Sequence, residues 1–186
     1  MRLFHFLVTS VTLTTLATLS ACSPSLDWRE VRFEGELQAS DASPLMALLP
    51  CKPDRATREQ SVGGELVSLS MMGCPAAGAT FTLSRMVLKN SANVPQVLAA
   101  WQAAAQANMT KQSNAAQSEK WPFKVRGASG WPAAVRINVS ANQLAWFAQL
   151  AGPDIVLYQA AIYGSQDAKP LAAGAIDTFF ESLRLP

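Results

Sequence analysis

Histidine is all but missing from this 186-residue chain: His5 is the only one. It lies inside the N-terminal run MRLFHFLVTSVTLTTLATLSA, where Arg2 and a long apolar stretch have the layout of a secretory signal, a short basic region followed by a hydrophobic one. Once such a signal is removed, no imidazole is left. That excludes a Ser-His-Asp triad, a Cys-His pair and imidazole metal ligands, the commonest hydrolase and zinc-site designs. Charge is also scarce, at 15% of residues, and removal of Arg2 leaves fourteen basic side chains against thirteen acidic ones. So even a balance argues against a nucleic-acid binder or a polybasic membrane reader. Cysteine occurs three times, and no internal repeat is present.

What is there begins with the stretch LATLSACSPS, in which Cys22 sits where the apolar run gives way to Ser-Pro-Ser. Leu19-Ser20-Ala21-Cys22 resembles the lipobox of bacterial lipoproteins: an aliphatic residue, two small residues and a cysteine. The resemblance implies that residues 1–21 are a cleaved signal peptide, that Cys22 carries a diacylglycerol as the first mature residue, and that the chain is held to a membrane by its lipid. Two or three acyl chains, at about 0.8 kcal/mol per buried methylene, anchor a protein stably. Ser23, in place of the aspartate that retains such proteins in the inner membrane, implies the inner leaflet of the outer membrane, facing the periplasm. Residues 22–27 would then be a lipidated tether. Its five residues after Cys22 reach at most about 17 Å, so residues 28–186, expected as one domain, stay close to the membrane.

With Cys22 acylated, Cys51 and Cys74 form an even pair. In an oxidising periplasm the expectation is a disulfide between them.

Along the mature chain, WREVRF (28–33) and LMALLP (45–50) read as strands separated by a polar linker. ATREQSVGGELVSLSMMGC reads as a hairpin, with Gly63-Gly64 supplying the positive φ angles of a tight turn. A connection at PAAG leads into ATFTLSRMVL, with Phe81 and Leu83 on one face and Thr80, Thr82 and Ser84 on the other. Asn93 as cap and Pro95 in the first turn start a helix over 94–109, whose apolar stripe is Val94, Val97, Leu98, Trp101, Ala105 and Met109. TKQSNAAQSEK (110–120) has no apolar face and reads as an exposed loop. FKVRG follows, then three strands, PAAVRINVS, QLAWFAQLAG and DIVLYQAAIYG, turning at Ala141-Asn142 and Gly152-Pro153. Asp167 as cap and Pro170 in the first turn open a closing helix with Leu171, Ala175, Ile176, Phe179 and Leu183 along one stripe.

The expected fold is therefore α+β, an antiparallel sheet built from two meanders and covered by two helices. Its element order and the closing DTFFESLRL resemble the PsbP-like α/β/α sandwich. That resemblance implies architecture alone, because fold does not fix function.

No catalytic or metal-binding constellation stands out, and no cofactor is expected. The acids Glu30, Glu34, Glu36, Glu65, Asp154 and Asp167 are the candidates for a carboxylate pair, although a solvated face is the ordinary reading of such alternation. Trp121 and Trp131 each precede a proline and flank FKVRGASG, and with the basic cluster Lys52, Arg55 and Arg58 they form a candidate partner surface. Trp101 and Trp146 fit a core, while Trp28 fits either a lipid headgroup region or the first buried strand. The expectation is a non-catalytic binding or scaffolding module of the cell envelope, with the membrane and an envelope protein as partners and no nucleic acid. A carboxylate-based enzyme and a carrier of a small apolar ligand are the alternatives.

Overall fold

A computed structural model describes residues 26–34, 42–110, 118–164 and 170–186. Cys22, Glu36 and Asp167 lie outside the described residues. Among the described residues the strands and α-helices follow in the order β1 (Arg29–Phe33), β2 (Leu45–Leu49), β3 (Asp54–Val62), β4 (Glu65–Ala76), β5 (Ala79–Leu88), α1 (Val94–Thr110), β6 (Ser118–Pro122), β7 (Val135–Val139), β8 (Asn142–Ala151), β9 (Asp154–Gly164) and α2 (Ala173–Glu181). The fold is α+β and mostly sheet. β1 and β2 form an antiparallel ribbon, and the other strands form an antiparallel sheet in the order β3-β4-β5-β9-β8-β7-β6.

The side-chain period of two assigns each strand residue to a face. On one face Val67, Leu69, Met86, Leu88, Leu144, Trp146, Ile155 and Leu157 pack with Val94, Val97, Trp101, Ala105 and Met109 of α1. On the other, Met72, Phe81, Leu83, Phe147, Tyr158 and Ile162 pack with the ribbon and with Phe179 and Phe180 of α2. Of the expected helix stripes, Val94, Val97, Trp101, Ala105, Met109, Ala175, Phe179 and Leu183 are buried and Leu98, Leu171 and Ile176 partly so, with Phe180 added. Trp28 packs edge-on against Phe81, centroids 5.9 Å apart, so it joins this second core.

The tight turns follow the sequence closely. Gly63 and Gly64 have φ of 60° and 86°, and the β4–β5 connection turns at Ala77 and Gly78 with φ of 49° and 77°. β4 runs on through Pro75, which pairs with Thr80, instead of stopping at Cys74. Proline is tolerated there because β3 pairs with β4 only as far as Gly73, leaving that side of Pro75 without a ladder partner.

Three further boundaries differ from expectation. Residues 118–120 are not loop but the start of β6, paired with β7 from Ser118↔Val139 to Pro122↔Val135. An edge strand exposed at all but one residue, Trp121, is held mainly by backbone pairing and needs no apolar alternation. Asn93 does not cap α1: Asn90 Oδ1 accepts from Ala92 N at 3.0 Å, opening a 3₁₀ turn over Ser91–Asn93, and Asn93 donates to Glu65. Pro170 precedes α2 rather than starting it. The cap position is Ala172, without a side-chain hydrogen bond, so burial of Ala175, Phe179 and Phe180 holds the helix in place of a cap.

The chain's end ties the layers together. Ser182 Oγ accepts from Leu48 N at 2.8 Å and donates to Phe179 O at 2.7 Å. Arg184 exchanges backbone bonds of 2.9 and 3.0 Å with Met46, and Leu185 N donates to Arg126 O at 2.8 Å. The last residues therefore run between β2 and the segment after β6. Cys51, just beyond β2, and Cys74 in β4 have sulfurs at disulfide distance, 2.04 Å, joining ribbon to sheet across a separation of 23 residues. No helix among the described residues is long and apolar enough to cross a membrane.

Candidate functional site

Between β6 and β7 the chain makes a long irregular excursion, residues 123–134, pinned at several points. Phe123 N donates to Ala134 O at 3.1 Å, closing its base. Ser129 N donates to Ala148 O at 2.8 Å, docking its middle on β8, and Ser129 Oγ donates to Trp131 O at 2.8 Å. Gly127, with φ of 78°, lets the backbone pass so near the C-terminal segment that a Cβ there would stand 2.0 Å from Leu185 O. Val125 is buried in the second core, whereas Lys124 and Arg126 stay at the surface.

The result is a groove of about 580 Å³ lined by Pro122, Phe123, Val125 and Ala128 with the basic Lys124 and Arg126. That volume falls in the range of ligand sites, which combine apolar walls with a few polar groups. Neither flanking tryptophan lines it. Trp121 is half-buried on β6, not on a loop, with the Arg136 guanidinium 5.5 Å from its ring. Trp131 is 47% exposed beside the groove, one of the few large apolar side chains left in solvent with Leu66 and Leu150.

Arg136 of β7 sits between Trp121 and α2. Its guanidinium stacks 3.9 Å from the centroid of Phe180 on α2 and donates to Gln143 on β8. Burial pushes its pKa down, while Asp177 and Glu181 of α2 act in the opposite direction.

The basic cluster does not form one patch. Lys52 lies before β3, and Arg55 and Arg58, three residues apart on β3, project to opposite faces of the edge strand. Arg55 donates to Arg32 O at 3.1 Å.

The four candidate acids among the described residues are each engaged separately. Glu30 pairs with Arg184, Glu34 with Arg32, and Glu65 with the Asn93 amide. Asp154, buried, pairs with Lys89 at 2.7 Å. Among the described residues no group of three or more His, Cys, Asp and Glu gathers as a metal site would require.

One set of polar residues was not anticipated. Thr57, Ser70, Arg85 and Tyr158 stand in register across β3, β4, β5 and β9 on the ribbon-covered face. Ser70, Arg85 and Tyr158 are buried. Only the polar letters at 70, 84 and 85 within apolar strands signal it in the sequence, and exposed alternation explains such letters equally well.

No protein-family model, no curated protein and no solved structure matches this chain.

Proposed function

We propose that this chain is a lipoprotein anchored through Cys22 in the inner leaflet of a bacterial outer membrane, and that its periplasm-facing domain is a non-catalytic binding module of the cell envelope. The anchor rests on Leu19-Ser20-Ala21-Cys22, and the Cys51–Cys74 pair at disulfide distance accords with an oxidising compartment. We read the architecture as a PsbP-like sandwich of two meanders. What supports that reading is the consecutive strand order on either side of the β5–β9 junction, with helices against opposite faces.

The observation that carries the binding reading is the groove at 122–134. A loop without regular structure is bonded to β8 and to the chain's end, holding an apolar trough open beside Trp131, with Lys124 and Arg126 among its lining residues. Apolar walls beside positive charge suit an extended peptide segment carrying aliphatic and acidic residues, the chemistry of an envelope protein partner.

The test is photo-crosslinking in intact membranes from a benzophenone amino acid placed at Trp131 or Lys124, compared with Leu66 at the tip of the β3–β4 hairpin. A discrete adduct from the groove positions and none from position 66 is the expected result. Equal labelling at all three positions overturns the assignment of the groove. In parallel, Cys22→Ser is expected to abolish acyl labelling and leave unprocessed precursor; labelling that persists refutes the anchor.

A further inference from the structure

The row Thr57, Ser70, Arg85 and Tyr158 crosses the sheet far from the groove, at the β3 side of the strand order. Arg85 is 3% exposed, and its Nε and Nη2 have no hydrogen-bond partner among the described residues. A buried guanidinium with two idle donors is costly unless an anion meets it, because desolvation of a charge exceeds what a screened neighbour returns. Two candidates for that anion stand nearby, and neither suffices. The Tyr158 phenol is neutral, since burial pushes its pKa up to about 12. Glu34 exerts an attraction on Arg85, but its side chain is 46% exposed and already paired with Arg32, so water screens its field.

One strand over from Arg85, which does not itself line it, the sheet opens into a pocket of about 170 Å³ whose walls include Phe33, Glu34, Arg55, Thr57 and Ser70. Ser70, the strand partner of Arg85, is among the lining residues and so separates the pocket from the guanidinium by one strand, and Thr57 Oγ1 donates to Ser70 Oγ at 3.3 Å. Arg55 stands at the same opening, on the same face of its strand as Thr57. The volume is some five or six times a water's share of about 30 Å³, which is room for a small head bearing an oxyanion and too little for a drug-sized ligand.

We propose that this pocket is the mouth of an oxyanion site, in which the carboxylate or phosphate head of a small molecule enters between Arg55 and Ser70 and is met by Nε and Nη2 of Arg85. The planar guanidinium fork suits two parallel hydrogen bonds to such a head. Ser70 and Thr57 supply hydroxyls that serve as donors once an acceptor arrives. Glu34 sits at the rim and disfavours ligands of high negative charge. The proposal is independent of the groove and of the anchor.

The experiment is a titration of the full chain in neutral detergent with acetate, inorganic phosphate and glycerol phosphate against chloride at equal ionic strength, followed by the Arg85 Nε–H resonance. Phosphatidylglycerol vesicles form a further arm that separates a lipid-borne head from a free one. The expected result is a saturable shift of that resonance with at least one of the oxyanions or with the vesicles, and none with chloride. Arg85→Met is expected to weaken binding at least tenfold, read by protection against thermal unfolding, and to leave the ligand-free protein as stable as the parent or more so, as loss of an unpaired buried charge requires. Should that variant not fold, Arg55→Gln, at an exposed position, is expected to weaken binding several-fold with the melting temperature unchanged. No saturable shift in any arm, or equal protection of parent and both variants, overturns the proposal.

Discussion

Tyr158 is one of two tyrosines in the chain and is almost wholly buried, stacked on Phe147 with centroids 5.2 Å apart. Its hydroxyl lies 3.2 Å from the Gln149 amide, which in turn exchanges bonds of 3.0 and 3.1 Å with the backbone of Ser43 before β2. Desolvation pushes the phenol up to about 12, against a smaller pull from Arg85 in the other direction. Between the ordinary tyrosine value near 10 and that raised value, the folded chain keeps a proton that the unfolded chain gives up. Stability contributed by this group is therefore complete below about pH 10 and is lost as pH rises towards about 12, by about 2–3 kcal/mol across the window. Burial pushes Tyr163 the same way. Urea midpoints measured from pH 9 to 11.5 are expected to fall more steeply for the parent than for Tyr158→Phe. Parallel slopes would show that Tyr158 does not govern alkaline unfolding. At this scale the sequence reveals least: Arg85 and Tyr158 sit in strands that both faces of the sheet bury, so the alternation that marks a solvent face is lost.

Elements whose side chains repeat were legible, and those held by backbone alone were not. The stripe from Val94 to Met109 announces itself because burial selects one face and that face recurs with the helical period, while ATFTLSRMVL and QLAWFAQLAG stand out as apolar runs of strand length bounded by turn residues. β6, SEKWP, has no such period, and the extended C-terminal segment is recognisable only by what it pairs with. The groove was half legible: the tryptophans marked the right stretch of chain, but its walls come from the residues between them. Gly127 tests whether the C-terminal segment sets that loop. Its φ of 78° costs a side-chain-bearing residue about 1–3 kcal/mol, and a Cβ 2.0 Å from Leu185 O would also force the segment away from Arg126. Gly127→Ala is expected to lose at least that much in chemical denaturation. Gly130→Ala, where nothing lies within 4 Å, is expected to change stability by no more than about 0.5 kcal/mol. Equal effects of the two substitutions would remove the C-terminal segment from the account of the groove.

At the scale of the whole molecule, two hydrogen-bonded sheets share one core, and their attachment is the weak point of the design. The β1–β2 ribbon has no ladder to the larger sheet; it is held by burial of Val31, Phe33, Leu45, Ala47 and Leu49, by the C-terminal segment and by Cys51–Cys74. The two cysteines were legible as a pair from their number and compartment. That the pair joins ribbon to sheet was not, because the ribbon's separateness is a property of pairing that no single strand records. A loop closed across 23 residues is worth about 3 kcal/mol on the chain-entropy account. For a domain of this size that corresponds to a fall in melting temperature of about 6–12 °C in the Cys51→Ala/Cys74→Ala double variant. Entropy removed from the unfolded chain lowers global stability alike for every strand. A staple between two bodies adds a local consequence, since the ribbon then opens without the sheet. Hydrogen exchange separates the two. In the double variant, amides of β1 and β2 are expected to lose more protection than those of β5, β8 and β9. Should all strands lose the same protection, the bond acts through the unfolded chain alone, and the buried apolar face of the ribbon suffices to hold it on the sheet.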